Sequence, residues 1–547
     1  MLLAGAVSGL LFALSFPPAD FGAVAFVAFV PLLLVLHRAR GWGGAALAGA
    51  SAGAAACLPA FAWVASVAVP GWLGLSVYVG LYFVVAAVAI RWVQRRHPIL
   101  WPVLGAAVWA GLELCRARLG PGFPWLFLGY TQYLVPGLVQ NAAWGGVYAL
   151  SFLVFLVNAA LAAALWGFHS AKHGRPAARH GRTLAACAGL LVLCWALGTA
   201  AAARVRWQEG PVVGVVQQNF PRRVSDIFGA KTLEELYQEI EREVDVAADL
   251  TLELQERRPV LVVWPETTLQ LPLNVEPRFF VAAAQAARDA FDRENLLRQG
   301  QSLTRALSLL ARTGEQVGCH LLVGGPAYLP RPGASYVSSL LYGPHVTDYG
   351  VSAFLLDPAG RRLERYDKMQ LVPFGEYIPL RDALPFLQAF TPLTRQNQPG
   401  EETVIFRIPD GGGGGLRFGA LICYEDVFPA LVRRFRRAGA DFLVNLSDEG
   451  WYWVPGELRQ HLAMAVFRAV ETRATVVRAA NTGISCFIGP RGEIYADLPP
   501  LRAGSLAAPI RLCDQSSPYM RHGDAFGLLC LMFAVAASPI IGALRRG

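Results

Sequence analysis

Charged residues are scarce in this chain. Of its 547 residues only 16% are Asp, Glu, Lys or Arg, whereas 54% are apolar and the mean hydropathy is +0.39. These values lie outside the range of soluble globular domains. Because a chain of this length is also too long for one ordinary core, at least two structural units are expected. The composition therefore predicts a membrane protein built from more than one unit.

Lysine is nearly absent. It occurs only as Lys172, Lys231 and Lys368 among 48 basic residues. The net charge is +9, but in the first half the basic residues fall in short clusters between apolar runs, which is typical of membrane topology signals. We therefore expect no nucleic-acid partner. Because almost every other basic position is an arginine, each lysine is a candidate for chemistry that needs a compact ammonium.

The nine cysteines form no Cys-x-x-Cys pair and show no metal-ligand spacing. This pattern argues against a disulfide framework and against a zinc site, so no metal is expected. Five of the cysteines lie in apolar runs, namely Cys57, Cys115, Cys187, Cys194 and Cys530.

Eight apolar segments are long enough to cross a bilayer, which takes about 20 residues. They are residues 1–16, 21–37, 43–66, 72–93, 98–115, 145–167, 183–203 and 525–543. Basic residues cluster in the loops after the second, fourth and sixth segments and in the C-terminal tail, whereas the other loops carry few. By the positive-inside rule both termini are cytoplasmic, and the polar region at 208–520 lies on the opposite side of the membrane.

The polar region alternates strand-like apolar runs with helical patterns, and this alternation predicts an α/β layered fold. The helical patterns cover residues 281–293, 302–316 and 458–472. The strand-like runs are 212–219, 260–266, 320–328, 352–358, 418–425, 441–447, 475–481 and 485–492. The expected organisation is thus seven spans in 1–207, an α/β domain in 208–520 and a last span in 521–547.

Three reactive side chains stand at or near the ends of strand-like runs, where sites in α/β proteins are usually built. Glu266 ends the run VLVVWPE, Lys368 lies in RYDKMQLVPFGEYIP, and Cys423 follows FGALI. A reactive thiolate needs a nearby cation or base, and the carboxylates after Cys423 supply only negative charge, so a lysine is required. Each residue alone also has an ordinary interpretation: a small buried hydrophobe, a solvated lysine and a helix N-terminal cap.

The order of WPE, then DK with VPFGE, then CYE resembles the nitrilase superfamily, whose Glu-Lys-Cys triad sits on a four-layer α-β-β-α sandwich. With seven apolar segments in front and one behind, the whole chain is similar to the apolipoprotein N-acyltransferase family of bacterial membrane enzymes. FPWLFLGYTQ at 123–132, NTGIS at 481–485 and GPRGEI at 489–494 support this resemblance. One stretch departs: NLSDEGWYW at 445–453 replaces a sequence like Asn-Asp-Ala-Trp-Phe. The departure puts local loop contacts in question, but not the triad.

The resemblance implies an acyltransferase of the bacterial inner membrane whose catalytic domain faces the periplasm. It would move an acyl chain from a phospholipid, through a thioester on Cys423, to the α-amine of an S-diacylglyceryl cysteine on an apolipoprotein. Glu266 would act as the base and Lys368 would stabilise the oxyanion. Three further residues would orient Lys368 or line the substrate pocket, namely Glu376, Tyr424 and Glu425. Membrane lipids are the expected surroundings, and no cofactor is implied.

Two other functions stay open at this stage. A membrane-anchored amidase would release the same acyl group to water, because only the nucleophile that reaches the thioester differs. A transporter or receptor with a periplasmic binding domain predicts charged or broken helices at mid-membrane, and the segments show few. Glu113 and Arg116, one turn apart near the end of the fifth segment, are interpreted as an interfacial ion pair. For Glu425, a role in positioning Lys368 and a role at a helix N-terminus are equally favoured.

Overall fold

The computed structural model of the chain describes residues 1–171, 178–222, 232–391, 393, 396–409, 415–452 and 455–537. Several features of the sequence lie outside the described residues. These are Lys172, Lys231, Trp453, the eighth apolar segment beyond residue 537 and the basic C-terminal tail.

The N-terminal half is helical. Single 3-10 turns at Gly22–Phe26, Ala62–Ser66 and Leu128–Gln132 connect its helices. The helices are α1 (Leu2–Leu14), α2 (Val30–Arg38), α3 (Trp42–Ala60), α4 (Val69–Arg96), α5 (Trp101–Arg118), α6 (Pro136–Val139), α7 (Ala142–Ala171) and α8 (Ala178–Arg204). Helix α7 is kinked at its start, where Gly146 takes a φ of +65° that other residues rarely adopt.

Within the described residues, four helices are long and apolar enough to cross a membrane. They are α3, α4, the Ala142–Gly167 part of α7 and the Leu184–Arg204 part of α8. The other predicted segments also contain helices, but these are shorter or more charged. Helix α1 has 13 residues and ends before Pro17 and Pro18, and the second segment is divided between a 3-10 turn and the 9-residue α2.

Small residues allow the helices of this half to approach closely, as is common in membranes. A Cβ atom placed on Gly53 of α3 would lie 2.8 Å from the Cα of Gly80 of α4, so the two backbones are in contact there. Helix α7 is central, with 78% of its apolar window buried, whereas α8 has only 11% buried. Helix α8 therefore lies at the periphery and presents an apolar surface outwards.

The prediction of an ion pair between Glu113 and Arg116 is wrong. In the described part of the chain, no carboxylate oxygen lies within 4.0 Å of the Arg116 guanidinium. One oxygen of Glu113 instead accepts hydrogen bonds from the Trp109 indole and the Leu128 amide, both at 2.8 Å. Arg116 donates to the Leu126 carbonyl at 3.3 Å. The chain after α5 folds back over the helix end, and its backbone groups take the place of the ion pair.

The second half contains two six-stranded sheets in the orders β12-β1-β2-β3-β4-β5 and β11-β10-β9-β8-β7-β6. The strands are β1 (Gln208–Gln217), β2 (Leu261–Val263), β3 (His320–Pro330), β4 (Thr347–Leu356), β5 (Arg362–Asp367), β6 (Ile405–Pro409), β7 (Gly415–Ile422), β8 (Phe442–Ser447), β9 (Val476–Ala480), β10 (Cys486–Ile488), β11 (Ile494–Asp497) and β12 (Gly504–Leu512). In each sheet the three strands β1-β2-β3 or β7-β8-β9 are parallel and the outer pairs are antiparallel.

Helices cover the outer faces of the two sheets. The first sheet shows why: Leu261 and Val263 of β2 belong to the core shared with the second sheet, whereas Val262 between them packs with the helices. This alternation is the period of two expected of a strand buried on both faces. The predicted α/β fold is confirmed. The helices of this half are α9 (Leu233–Leu252), α10 (Pro277–Ala286), α11 (Ala290–Val317), α12 (Tyr336–Tyr342), α13 (Pro429–Arg437), α14 (Pro455–Thr472), α15 (Pro518–His522) and α16 (Ala525–Ala536).

Helix α14 joins the two halves. Gln460 on this helix donates to the carbonyls of Pro17 and Ala60 at 2.8 and 3.2 Å. Its side-chain oxygen accepts from the indoles of Trp63 and Trp125 at 3.3 and 2.8 Å. Three loops of the helical half are thereby held against one helix of the α/β half.

Candidate active site

Cys423 lies where strand β7 ends. The strand stops at Ile422, and Cys423 opens a 3-10 turn with a φ of +49°, a left-handed backbone conformation that costs a non-glycine residue about 1–3 kcal/mol. The Asn445 side chain on neighbouring β8 donates to the Cys423 carbonyl at 3.0 Å and supports the turn. Cys423 keeps part of its surface exposed. The turn therefore places Cys423 at a partly exposed strand end.

Lys368 follows the end of strand β5 and is 1% exposed. Its ammonium donates to Oε1 of Glu266 at 3.0 Å and to Oε1 of Glu376 at 2.7 Å. The second oxygen of Glu376 accepts from the Val372 amide at 2.7 Å, which fixes that carboxylate. Three side chains that are far apart in the sequence thus meet in one buried group.

The charges of this group follow from burial and proximity. Burial works against the charged form of Lys368, but Glu266 and Glu376 raise its pKa well above the usual value, so it stays an ammonium. Burial raises the pKa of Glu266 to about 7, although Lys368 opposes the shift. Burial and then Glu266 raise the pKa of the Cys423 thiol well above 9, again opposed by Lys368. The resting site therefore combines a thiol with a carboxylate that can take a proton near neutral pH.

Glu425 accepts hydrogen bonds mainly from backbone amides. One carboxylate oxygen accepts from the Tyr366 hydroxyl and the Met369 amide at 2.7 Å, and from the Gln370 amide at 3.1 Å. The other accepts from the Ile422 amide at 2.7 Å. Glu425 therefore fixes the chain on both sides of the site, directly after Lys368 and directly before Cys423. The same side chain accepts a hydrogen bond at the start of the 3-10 turn, and its role in positioning Lys368 stays a prediction.

Tyr424 faces the helical half. Its hydroxyl donates to the Gly122 carbonyl at 3.3 Å, and its ring lies 6.3 Å from the rings of both Phe123 and Trp125. Phe428 contacts the same ring edge-on at 5.0 Å. The residue next to the thiol is therefore in contact with the FPWL loop of the helical half.

A second charged cluster lies beside the site, and sequence reasoning did not find it. His461 shares a 2.6 Å contact with Asp426, whose other oxygen accepts from Arg478 at 2.6 Å. Arg478 also donates to Glu449 at 2.9 Å. All four side chains are buried. A signal was present in the sequence, because an arginine inside the apolar run TVVRAAN of strand β9 requires a buried partner.

The departing stretch at 445–453 contributes to both clusters. Asp448 accepts from the Thr267 hydroxyl, from Arg222 and from Asn481 at 3.0, 3.1 and 2.8 Å, and so fixes the residue after Glu266. Glu449 belongs to the second cluster. The two acidic residues of this stretch therefore have partners that suit them. In the described part of the chain, no three His, Cys, Asp or Glu side chains are grouped so that they could hold a metal ion.

The α/β half has two facing sheets, and a thiol, an ammonium and carboxylates lie at the ends of their strands. This arrangement is that of the carbon-nitrogen hydrolase class, and here it is joined to a helical membrane half. Family models agree: the carbon-nitrogen hydrolase model matches residues 213–514, more than half of the chain, and the apolipoprotein N-acyltransferase N-terminal domain model matches residues 8–160. The apolipoprotein N-acyltransferase of Geobacter metallireducens is 33% identical over 99% of this chain and 94% of its own length. The chain therefore belongs to the apolipoprotein N-acyltransferase family.

Two further matches are a second relative and a solved structure. Apolipoprotein N-acyltransferase 1 of Treponema pallidum is 31% identical over 97% of this chain and 93% of its own length. Among solved structures, an amidase from Nesterenkonia sp. is 21% identical, with a TM-score of 0.35 over 59% of this chain and 97% of that chain. Membership of an acyltransferase family disfavours the transporter or receptor interpretation.

Proposed function

We propose that this protein transfers an acyl chain from a phospholipid to the α-amine of an S-diacylglyceryl cysteine at the N-terminus of an apolipoprotein. The observation that carries the proposal is the 3.0 Å contact between Lys368 and Glu266, whose charges both act on the Cys423 thiol. Family membership supports the reaction class, since relatives that span nearly the whole chain carry this name.

In the first half-reaction Glu266 takes the thiol proton and the Cys423 sulfur attacks the ester carbonyl of the phospholipid. The Lys368 ammonium stabilises the negative oxygen of the tetrahedral intermediate. When the intermediate collapses, the carbon–oxygen bond to glycerol breaks and Glu266 returns the proton to the leaving oxygen. A lysophospholipid departs, and the acyl chain remains as a thioester on Cys423.

In the second half-reaction the α-amine attacks the thioester carbonyl. Glu266 accepts a proton from the amine, the carbon–sulfur bond breaks, and the proton passes to the sulfur. The products are an amide and the regenerated thiol. Acyl transfer from a thioester to an amine is downhill, so the residues of the site suffice. Glu376 and Glu425 act as positioning residues, the first on the ammonium and the second on the backbone around it, and Tyr424 lines the pocket.

The reaction belongs at a bilayer surface, because exposing acyl chains to water costs roughly 0.8 kcal/mol per CH₂. We infer about eight spans in residues 1–207 and 521–547, with the catalytic domain at 208–520 facing the periplasm across the bacterial inner membrane. Basic clusters at the ends of α2 and α4 support this orientation. The α/β half contacts the opposite helix ends, at Pro17 and Gly122.

The test uses purified protein in phospholipid-containing detergent micelles, with mass spectrometry of the peptide that contains Cys423. An acyl mass should appear on this peptide, persist in water and disappear when a diacylated lipopeptide is added. Cys423→Ala should abolish the signal, whereas Cys115→Ala, another partly exposed cysteine, should not. If the acyl mass decays equally fast without lipopeptide, the amidase interpretation replaces this one.

A further inference from the structure

A small open-sided cavity of about 20 Å³, with room for about one water molecule, lies in the helical half, near the ends of α1 and α5 that face the α/β half. Its walls are mainly aromatic and aliphatic, including Tyr82, Phe83, Trp109 and Leu126. Arg116 and Glu113 also line it. A buried cation in the wall of an apolar cavity at membrane depth is a functional-site candidate, because it is costly to keep there.

Among the described residues, no carboxylate lies within 4.0 Å of the Arg116 guanidinium, and Glu113, one helical turn away, is the opposite charge that acts on it most strongly. The residue is 4% exposed, and its guanidinium has five N–H donors. Its protein partners are the Leu126 carbonyl at 3.3 Å and two ring faces, Phe127 at 4.9 Å and Tyr82 at 6.0 Å. As described for the fold, the nearby Glu113 directs one oxygen to Trp109 and Leu128 instead. An anion could therefore approach the guanidinium without displacing a carboxylate that is in contact with it.

The cations closer to the thiol differ in this respect. Lys368 is held by Glu266 and Glu376, and Arg478 is held by Asp426 and Glu449. Lys368 has one N–H left, which the oxyanion takes in the proposed mechanism, and Arg478 could bind a phosphate only by losing a carboxylate partner. Arg116 can accept such a group without breaking an ion pair.

The cavity is connected to the active site through one loop. The Arg116 carbonyl accepts from the Phe123 amide at 2.8 Å, and the Phe123 ring lies 6.3 Å from the Tyr424 ring. Burial raises the pKa of Tyr424 well above 10, and Arg116 is close enough to oppose that shift. On the outer face of α4, Val77, Leu81 and Val85 are exposed and apolar, as a lipid-facing surface requires. Helix α4 thus contributes Tyr82 and Phe83 to the cavity wall and presents an exposed apolar face on its other side.

We propose that Arg116 binds a phosphate oxygen of the phospholipid donor while the donor ester is attacked at Cys423. This inference rests on the proposed function. Only a glycerol unit separates the phosphate from the reacting ester, so a phosphate site has to lie within reach of the thiol. Arginine suits the task, because its planar fork forms charge-assisted hydrogen bonds to phosphate oxygens.

The experiment compares two donors with the same acyl chains, a phospholipid and the diacylglycerol that lacks the phosphate. The rate of acylation of Cys423 is measured in mixed micelles by mass spectrometry. The wild type should prefer the phospholipid. Arg116→Gln should lose about 10- to 100-fold with the phospholipid and much less with diacylglycerol, so that the preference collapses. Arg116→Lys should keep part of the preference because it keeps the charge.

Arg91→Gln is the matched control. Arg91 is also a buried arginine of the helical half, and it donates to the Ala39 carbonyl at the other end of α4. Its loss should leave the ratio of the two donor rates unchanged. Inorganic phosphate should not slow the phospholipid reaction; strong inhibition would show that the cavity takes free phosphate, against the proposal.

The proposal is overturned if Arg116→Gln slows both donors equally, because Arg116 would then only hold the loop. It is also overturned if the wild type shows no preference for the phospholipid. A wild type that forms no acyl-enzyme with either donor would instead contradict the proposed function itself.

Discussion

Two charged clusters lie next to Cys423, and they differ in how their charges are balanced. In the cluster of Lys368, one ammonium faces two carboxylates, Glu266 and Glu376. In the cluster of Arg478, the guanidinium and His461 face three carboxylates, Asp426, Glu449 and Glu457. The carboxylates outnumber the cations by one in both clusters, but the first cluster has a single ammonium between two carboxylates, whereas the second has a guanidinium and an imidazole among three.

The pKa shifts show the same difference. Burial raises the pKa of Glu266 to about 7, so this carboxylate can exchange a proton under physiological conditions. Burial also works against the charged form of Glu449, but His461 and Arg478 hold its pKa below the usual value. For Arg478, burial is outweighed by Asp426 and Glu449, and its pKa is raised. Burial also raises the pKa of Glu457 to about 8, so each cluster has one carboxylate that can exchange a proton near neutral pH. The comparison teaches that such a carboxylate is not enough for chemistry, because Glu266 acts on the Cys423 thiol more strongly than any carboxylate of the second cluster. We therefore interpret the first cluster as the chemical one and the second as a scaffold.

Lys368→Arg tests the chemical cluster and should have the largest effect. A planar guanidinium is larger than an ammonium and cannot occupy a 1% exposed site between two carboxylates at 3.0 and 2.7 Å without moving them. Loss of the oxyanion donor alone costs about 10²- to 10³-fold. Acylation of Cys423 should therefore fall by at least that factor in single-turnover measurements. Arg365→Lys, on the same strand, is the control and should be nearly neutral; retained activity in Lys368→Arg would contradict the need for a compact charge.

The pH dependence tests whether Glu266 is the base. A base works in its deprotonated form, and because the pKa of Glu266 is raised to about 7, that form is lost as the pH falls through 7. The acylation rate of Cys423 should fall about tenfold between pH 8 and pH 6. Glu266→Gln should react about 10²- to 10⁴-fold more slowly and lose this dependence. A wild-type rate that is flat over this range would assign the base to another group.

Much of the fold could be predicted from the sequence. Each of the eight strand-like runs contains a strand, and the four strands that were not predicted are β5, β6, β11 and β12, the four edges of the two sheets. An edge strand needs no continuous apolar run, since it is covered less than a central one. In RLERYD of β5, for example, only Tyr366 is buried.

The candidate site was predictable in its reactive residues but not in their support. Glu266 and Cys423 follow strands that the hydrophobic pattern reveals, whereas Lys368 follows β5, which was not predicted, and was singled out by the scarcity of lysine. The contacts of Glu425 with the Met369 and Gln370 amides, and of Asp426 with His461 and Arg478, join residues 35 to 56 positions apart. Such pairing depends on how loops fold over the strand ends, and no local pattern encodes it.

Arg478→Met tests the scaffold cluster. The change leaves Asp426 and Glu449 buried without their guanidinium, and breaking a buried pair in this way costs about 3–5 kcal/mol of stability. We expect a lower melting temperature in micelles, while the folded fraction at low temperature still acylates Cys423. Arg417→Met is the control, because its pair with Asp441 is exposed and contributes about 0–1 kcal/mol. Full stability with lost acylation would reverse the roles of the two clusters.

Gln460→Met separates the effect of charge from the effect of hydrogen bonding next to the second cluster. Gln460 precedes His461 in the sequence but carries no charge. The substitution keeps the size of the side chain but leaves two indoles and two carbonyls without a partner in a buried site. Such groups cost about 1–3 kcal/mol, less than the uncompensated charges around Arg478. The loss should appear as a smaller drop in melting temperature, together with a change in tryptophan fluorescence from Trp63 and Trp125. Gln255→Met, an exposed residue with a hydrogen bond to the Gln316 carbonyl, should change stability by no more than about 0.5 kcal/mol. Gln460→Met could instead destabilise the protein as much as Arg478→Met does. In that case unsatisfied hydrogen-bonding groups cost this interface as much stability as unpaired buried charges.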